Sequence, residues 1–144
     1  MNRVFADAFY FVALLNRADQ YHDKASVAAS QLQGEIVTTE WVLAEVADAL
    51  AGSASRRFVA SFIRDLAQDP KVRIVRAAGD WFERGLQLYE KRVDKDWPLT
   101  DCISFAVMTD EKLMDALPVI TILRKRVSRR CWRERVGRAQ PETP

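Results

Sequence analysis

Val4-Phe5-Ala6-Asp7 constrains this chain more than any other four residues. A short apolar run ends on an acid, and Ala8-Phe9-Tyr10-Phe11-Val12-Ala13-Leu14-Leu15 follows without a break. A strand that stops at an aspartate and turns at once into an apolar helix places that aspartate at a strand-to-helix junction. In an open α/β sheet the carboxyl ends of the strands are where ligands bind. Glu45 stands in Trp41-Val42-Leu43-Ala44-Glu45-Val46, and Asp101 in Leu99-Thr100-Asp101-Cys102-Ile103-Ser104-Phe105, both largely apolar surroundings. Three carboxylates in buried-looking sequence need a compensating partner, because unpaired buried charge is costly. A shared divalent cation would be one.

The rest of the chain alternates in the same manner. Residues 4–6 read as a strand, followed by a helix to about Asn16 and a second helix over about 22–32, terminated by Gly34. Ile36-Val37-Thr38 is a second strand, after which Thr38 or Thr39 caps a helix running to about Ala51. Gly52 and Ser53 end it. Phe58, Val59, Phe62, Ile63 and Leu66 recur at helical spacing within residues 55–68, and Asp69-Pro70 breaks that helix. Val72-Arg73-Ile74-Val75 is a third strand, and Trp81, Phe82, Leu86 and Tyr89 mark the next helix. Residues 92–98 form a polar loop before a helix over 99–109. Strands alternating with helices predict an α/β fold with a parallel sheet and helices on both faces.

A chain of 144 residues fits one domain with a real core. Cys102 and Cys131 are too few for a disulfide framework and match no zinc spacing, which fits a reducing, cytoplasmic setting. The apolar run over residues 9–15 is too short to span a bilayer and follows an acid, which excludes a membrane span and a signal peptide. The net charge of +2 hides an asymmetry. Residues 1–117 carry 14 Lys/Arg and 18 Asp/Glu, whereas residues 118–144 carry 8 and 2. A mildly acidic body therefore meets a strongly basic end, and this is the one boundary visible in the chain.

Magnesium prefers oxygen ligands, keeps several of its waters and needs only a few carboxylates around a polar cleft. Bound there, it lowers the pKa of a water and stabilises charge on a phosphoryl oxygen. Asp7, Glu45 and Asp101 supply such a set if their separate elements converge.

At these residues the chain resembles the PIN-domain family, and more narrowly the VapC-type ribonuclease toxins of VapBC toxin–antitoxin systems. The resemblance runs through Val4-Phe5-Ala6-Asp7-Ala8, Phe11-Val12-Ala13-Leu14-Leu15-Asn16 and Asp19-Gln20-Tyr21-His22. It continues in Thr38-Thr39-Glu40-Trp41-Val42-Leu43-Ala44-Glu45 and in Asp94-Lys95-Asp96-Trp97-Pro98-Leu99-Thr100-Asp101-Cys102-Ile103-Ser104-Phe105. It covers about residues 3–117, and the blocks are specific together rather than singly. It implies an α/β/α sandwich around a central parallel sheet and metal-dependent endonuclease action on RNA. Asp7, Glu45 and Asp101 correspond to the family's first three acids, as catalytic residues and as ligands for Mg2+ or Mn2+. The resemblance also implies a cognate antitoxin and a possible homodimer as partners.

Plainer readings stand beside these. Asp101 suits the first turn of any helix, where the macrodipole favours an acid. Glu45 alone would serve as an exposed helix acid or a salt-bridge partner. Asp7 is the hardest to explain as filler. Asp96 falls in the family's loop pattern, either ordering the loop or simply solvated. Thr39 and Ser104 fit capping and helix packing, His22 fits a structural helix position, and Trp41, Trp81 and Trp97 fit the core.

The pattern breaks after residue 117. The family continues with a strand, Thr-x-Asp-x-x-Phe and then Ala-Gly-Phe, whose aspartate is the fourth acid. Here Pro118-Val119-Ile120-Thr121-Ile122-Leu123-Arg124-Lys125-Arg126 follows Leu117 instead. Asp110 and Asp115 precede that strand position and read as surface acids. Codons for Pro118 onward, read one base early, permit Thr, Gly or Ser, Asp, His, His, Phe, Ala, Glu, Ala, Gly, Phe. That is the missing motif with its spacing intact. The expectation is a PIN-like body over 1–117 and an atypical basic segment over 118–144, out of frame after a one-base loss. A nucleic-acid-binding patch is the rival explanation of that segment. Two functions follow: a Mg2+-dependent endoribonuclease toxin, or a catalytically impaired PIN-fold protein that keeps its partner binding.

Overall fold

The structure, a computed structural model, describes residues 3–113. Strands β1 (Arg3–Phe5), β2 (Glu35–Thr39) and β3 (Val72–Val75) form a parallel sheet in the order β1-β2-β3. Helices α1 (Ala8–Leu15) and α2 (His22–Gln31) join the first two strands, and α3 (Glu40–Ala49) and α4 (Arg56–Gln68) join the next two. Helices α5 (Trp81–Lys91) and α6 (Leu99–Asp110) follow. Both crossovers step in the same direction across the sheet, so the right-handed preference of parallel connections puts α1 to α4 on one face. α1 packs against α2 and α3, α3 against α4, and α5 and α6 form the most extensively packed helix pair.

Each expected element within these residues is present, with bounds shifted by two residues at most. β1 closes one residue early, yet the Ala6 N–H still donates to the Val37 carbonyl at 2.9 Å. The core joins the sheet to its helices through Phe11, Val37, Val42, Val46, Ile103 and Val107, all fully buried. Among the described residues no helix is long and apolar enough to cross a membrane. The expectations for Asp115 and for the atypical basic segment over 118–144 lie outside the described residues.

Helix faces depart from expectation more than helix bounds do. Phe82, Leu86 and Tyr89 mark α5 as anticipated, but they are 49%, 37% and 52% exposed. The fully inward position is Gly85. A Cβ there would stand 2.9 Å from Ile103 Cα and 3.0 Å from Ile103 N, closer than packed carbons tolerate. Only glycine lets the α5 backbone lie directly on α6. Trp41, Trp81 and Trp97, expected in the core, are instead half-buried. Arg84 covers the Trp81 ring at 4.7 Å and Arg92 covers the Trp97 ring at 4.9 Å, so two of the indoles pack beneath guanidinium groups at the surface.

The amino-terminal half of the sheet is tied by ion pairs. Arg3 and Glu35 are register partners, and Arg3 Nε meets Glu35 Oε2 at 2.7 Å. Arg3 Nη2 also reaches Glu111 Oε2 at 2.7 Å, and Arg73 Nη2 reaches Glu111 Oε1 at 2.6 Å. Glu111 directly follows α6, where the helix dipole disfavours an acid. Its two arginines offset that and clamp the end of α6 to β1 and β3.

Candidate active site

Asp7 caps α1. Its backbone is extended, and its Oδ1 accepts from the Tyr10 N–H at 3.0 Å. Capping is why an acid is tolerated directly after an apolar strand: the side chain satisfies one of the helix's orphan donors. The Asp7 pKa is nevertheless pushed up to about 6, mainly by burial, with Asp101 and Glu45 adding repulsion and the Tyr10 N–H opposing. The residue is half-buried, so it is withdrawn from water without being sealed off.

Glu45 lies midway along α3 at an exposed position, not the buried one its apolar neighbours suggested, yet partial desolvation and then Asp101 and Asp48 raise its pKa. Asp101 stands half-buried in the first turn of α6. It repels both other acids, and Glu45 repels Asp7 less strongly than Asp101 does. Asp101 is therefore the hub. The cap of α1, a residue midway along α3 and one in the first turn of α6 thus share one electrostatic field.

Among the described residues, no three His, Cys, Asp or Glu side chains converge tightly enough to make a ready-made metal cage. The donor chemistry still fits a hard cation. All the donors are carboxylate oxygens, their mutual repulsion is relieved by positive charge, and Mg2+ retains waters able to bridge to ligands it does not touch.

The neighbouring polar residues have local duties. Thr39 caps α3, accepting from the Val42 N–H at 3.1 Å, and Ser104 Oγ donates to the Thr100 carbonyl at 3.0 Å. His22 Nδ1 lies 2.9 Å from the Ala13 carbonyl and links α2 to the last turn of α1. Asp96 is exposed, and the loop before α6 is tied by a different acid. Arg92 donates to both Asp94 oxygens, at 2.9 and 3.0 Å, which lowers the Asp94 pKa. Trp97, beneath Arg92, meets Phe105 edge-on at 5.2 Å. Asp110 is an exposed surface acid as expected, paired with Arg84 at 3.2 Å.

Sequence reasoning missed Asp48, Asp94 and Glu111. Asp48 was detectable, since it follows Glu45 by one helical turn and shares its face. A groove lined by Glu40, Leu43, Ala47, Ile63, Val72 and Arg76 lies between α3, α4 and β3, and none of the three clustered acids lines it.

The architecture is shared with a solved toxin structure, VapC20 of Mycobacterium tuberculosis, which cleaves the sarcin–ricin loop. The two match with a TM-score of 0.71 over 78% of this chain and 86% of that one, at 22% sequence identity. The fold is PIN-like. No protein-family model matches the sequence, and no curated protein matches it significantly.

Proposed function

We propose that this chain is a Mg2+-dependent endoribonuclease of the VapC toxin type, with Mn2+ as an alternative metal. The observation that carries it is the electrostatic coupling of Asp7, Glu45 and Asp101, brought together from α1, α3 and α6. The PIN-like fold shared with an RNA-cleaving toxin supports the choice of substrate.

Asp7 and Asp101 are the principal ligands in this reading, and Glu45 completes the set or orients the attacking water. Asp101 suits its part because the amino end of α6 stabilises negative charge. Asp7 suits its part because the Tyr10 N–H fixes one of its oxygens and so orients the other. When bound, the cation polarises the scissile phosphate and lowers the pKa of a water. The chain's own work is to hold three like charges close enough that a divalent ion is their best partner. The functional body is residues 1–117, with 118–144 an appended basic segment. A cognate antitoxin, self-association as a homodimer and a cytoplasmic setting belong to the same proposal.

Cleavage of RNA by the full chain in Mg2+ or Mn2+, abolished by chelation and by Asp101→Asn, tests it. A second reading is favoured by the absence of a tight three-ligand cage among the described residues. In it the chain is a PIN-fold protein that binds a partner but cuts poorly. Partner binding without metal-dependent cleavage would select that reading.

A further inference from the structure

Thr38 is fully buried at the carboxyl end of β2 and brings no charge to the acid cluster. Its hydroxyl makes a specific long-range bond: Oγ donates to the Ala6 carbonyl at 2.8 Å. The Ala6 N–H already donates to the Val37 carbonyl at 2.9 Å, so this next tie between the two chain segments comes from a side chain. Ala6 immediately precedes Asp7. The Ala6 carbonyl oxygen and the Asp7 nitrogen and Cα lie in one rigid peptide plane. Holding that oxygen fixes the plane's rotation, and with it the direction in which Asp7 leaves the strand. At its far end the same stretch is held by the Tyr10 N–H on Asp7 Oδ1, at 3.0 Å.

We propose that Thr38 is a positioning residue for the Asp7 carboxylate, acting through the Ala6–Asp7 peptide plane. The inference rests on the nuclease reading for what Asp7 does, but not for how Thr38 holds it. The hydroxyl and the shape of the side chain are separable. Thr38→Val keeps the volume in a closed site and leaves the Ala6 oxygen without this donor. Thr38→Ser keeps the donor and loses only a methyl group.

The test uses the full chain and these two variants, with two measurements. Mn2+ affinity, read from the paramagnetic resonance of free Mn2+, reports the site. Amide hydrogen exchange at Tyr10 in metal-free protein reports the Asp7 tie without any metal. Thr38→Val is expected to weaken Mn2+ binding by about tenfold or more, as loss of outer-shell support does, and to speed Tyr10 exchange. Thr38→Ser is expected to stay within about threefold of wild type in both, the margin set by the same outer-shell scale. Wild-type behaviour of Thr38→Val in both measurements overturns the proposal. So does a Thr38→Ser variant that falls as far as valine, because packing would then be the cause. If Thr38→Val fails to fold, Thr38→Cys takes its place, with similar volume and a weaker donor. If wild type neither binds Mn2+ nor cuts RNA, the nuclease reading fails, and Tyr10 exchange alone decides the role of Thr38.

Discussion

Helix α6 runs between two sites of opposite electrostatic character. At one end Asp101 lies near Asp7 and Glu45 and adds to the rise in the pKa of both. At the other end Glu111 lies between Arg3 and Arg73, with Arg3 also held by Glu35. Both ends place an acid beside a helix terminus, and both are partly withdrawn from water. At the second, arginines from β1 and β3 supply the counter-charge. The difference separates work from support: one end ties the sheet together through opposite charges, and the other gathers like charges.

The comparison is broken most forcefully at the hub. Asp101→Asn is expected to lower metal-dependent RNA cleavage by about 100-fold or more, since metal assistance contributes several kcal/mol to the barrier. A cleavage assay with purified variant checks it, and near-normal rates would dissolve the distinction between the two ends.

The next effect is on stability and concerns pH. Asp7 binds its proton more tightly in the folded chain, with a pKa of about 6 against an ordinary 3.8. Folding is therefore favoured most below the ordinary value, loses ground as pH rises towards 6, and levels off above it. The loss amounts to about 3 kcal/mol in metal-free protein. Asp7→Asn keeps a capping oxygen and removes this dependence, so at pH 7 it is expected to be the more stable protein. Urea titrations between pH 4 and 7 measure the gap. Added Mg2+ is expected to narrow it by stabilising wild type, and more strongly at pH 7 than at pH 5.

At the paired end the sign reverses. Glu111→Gln removes the shared acid and leaves two arginines side by side, with an expected cost of about 1–2 kcal/mol, kept modest by the exposure of Arg3 and Arg73. High salt should shrink the difference, and cleavage at saturating Mg2+ should change little. The smallest effect belongs to the surface loop. Asp94→Asn weakens the exposed tie to Arg92, with no measurable change in global stability expected and faster amide exchange over residues 92–98.

How far the sequence carried these conclusions depended on the range of the interaction. β-branched runs and helical spacing located every strand and helix among the described residues, because those signals are local. The three acids were legible for a related reason: each interrupts an apolar stretch. Glu111 was not, since its partners lie up to 108 positions away and nothing beside it in sequence announces them. The apolar marks of α5 announced a helix but not its inward face, because an apolar stripe cannot say whether anything covers it. The loop-ordering role considered for Asp96 falls to Asp94 instead, because the guanidinium of Arg92 meets Asp94 and nothing local in the sequence announced that choice. Asp7 was legible as a junction acid, but its second duty, capping α1 through the Tyr10 N–H, came only from the structure.

Gly85 has a consequence for descent. A Cβ at position 85 would meet the Ile103 side chain first and its backbone directly behind, so trimming the residue opposite does not make room for one. Position 103 is free to drift among apolar residues, and the exposed apolar positions of α5 are freer still. Distant kin of this chain would thus be expected to lose most of the helix pair's letters while keeping one glycine, fixed relative to the acid that opens the next helix. That spacing, from Gly85 to Asp101, is a mark by which such kin could be known after ordinary likeness has faded.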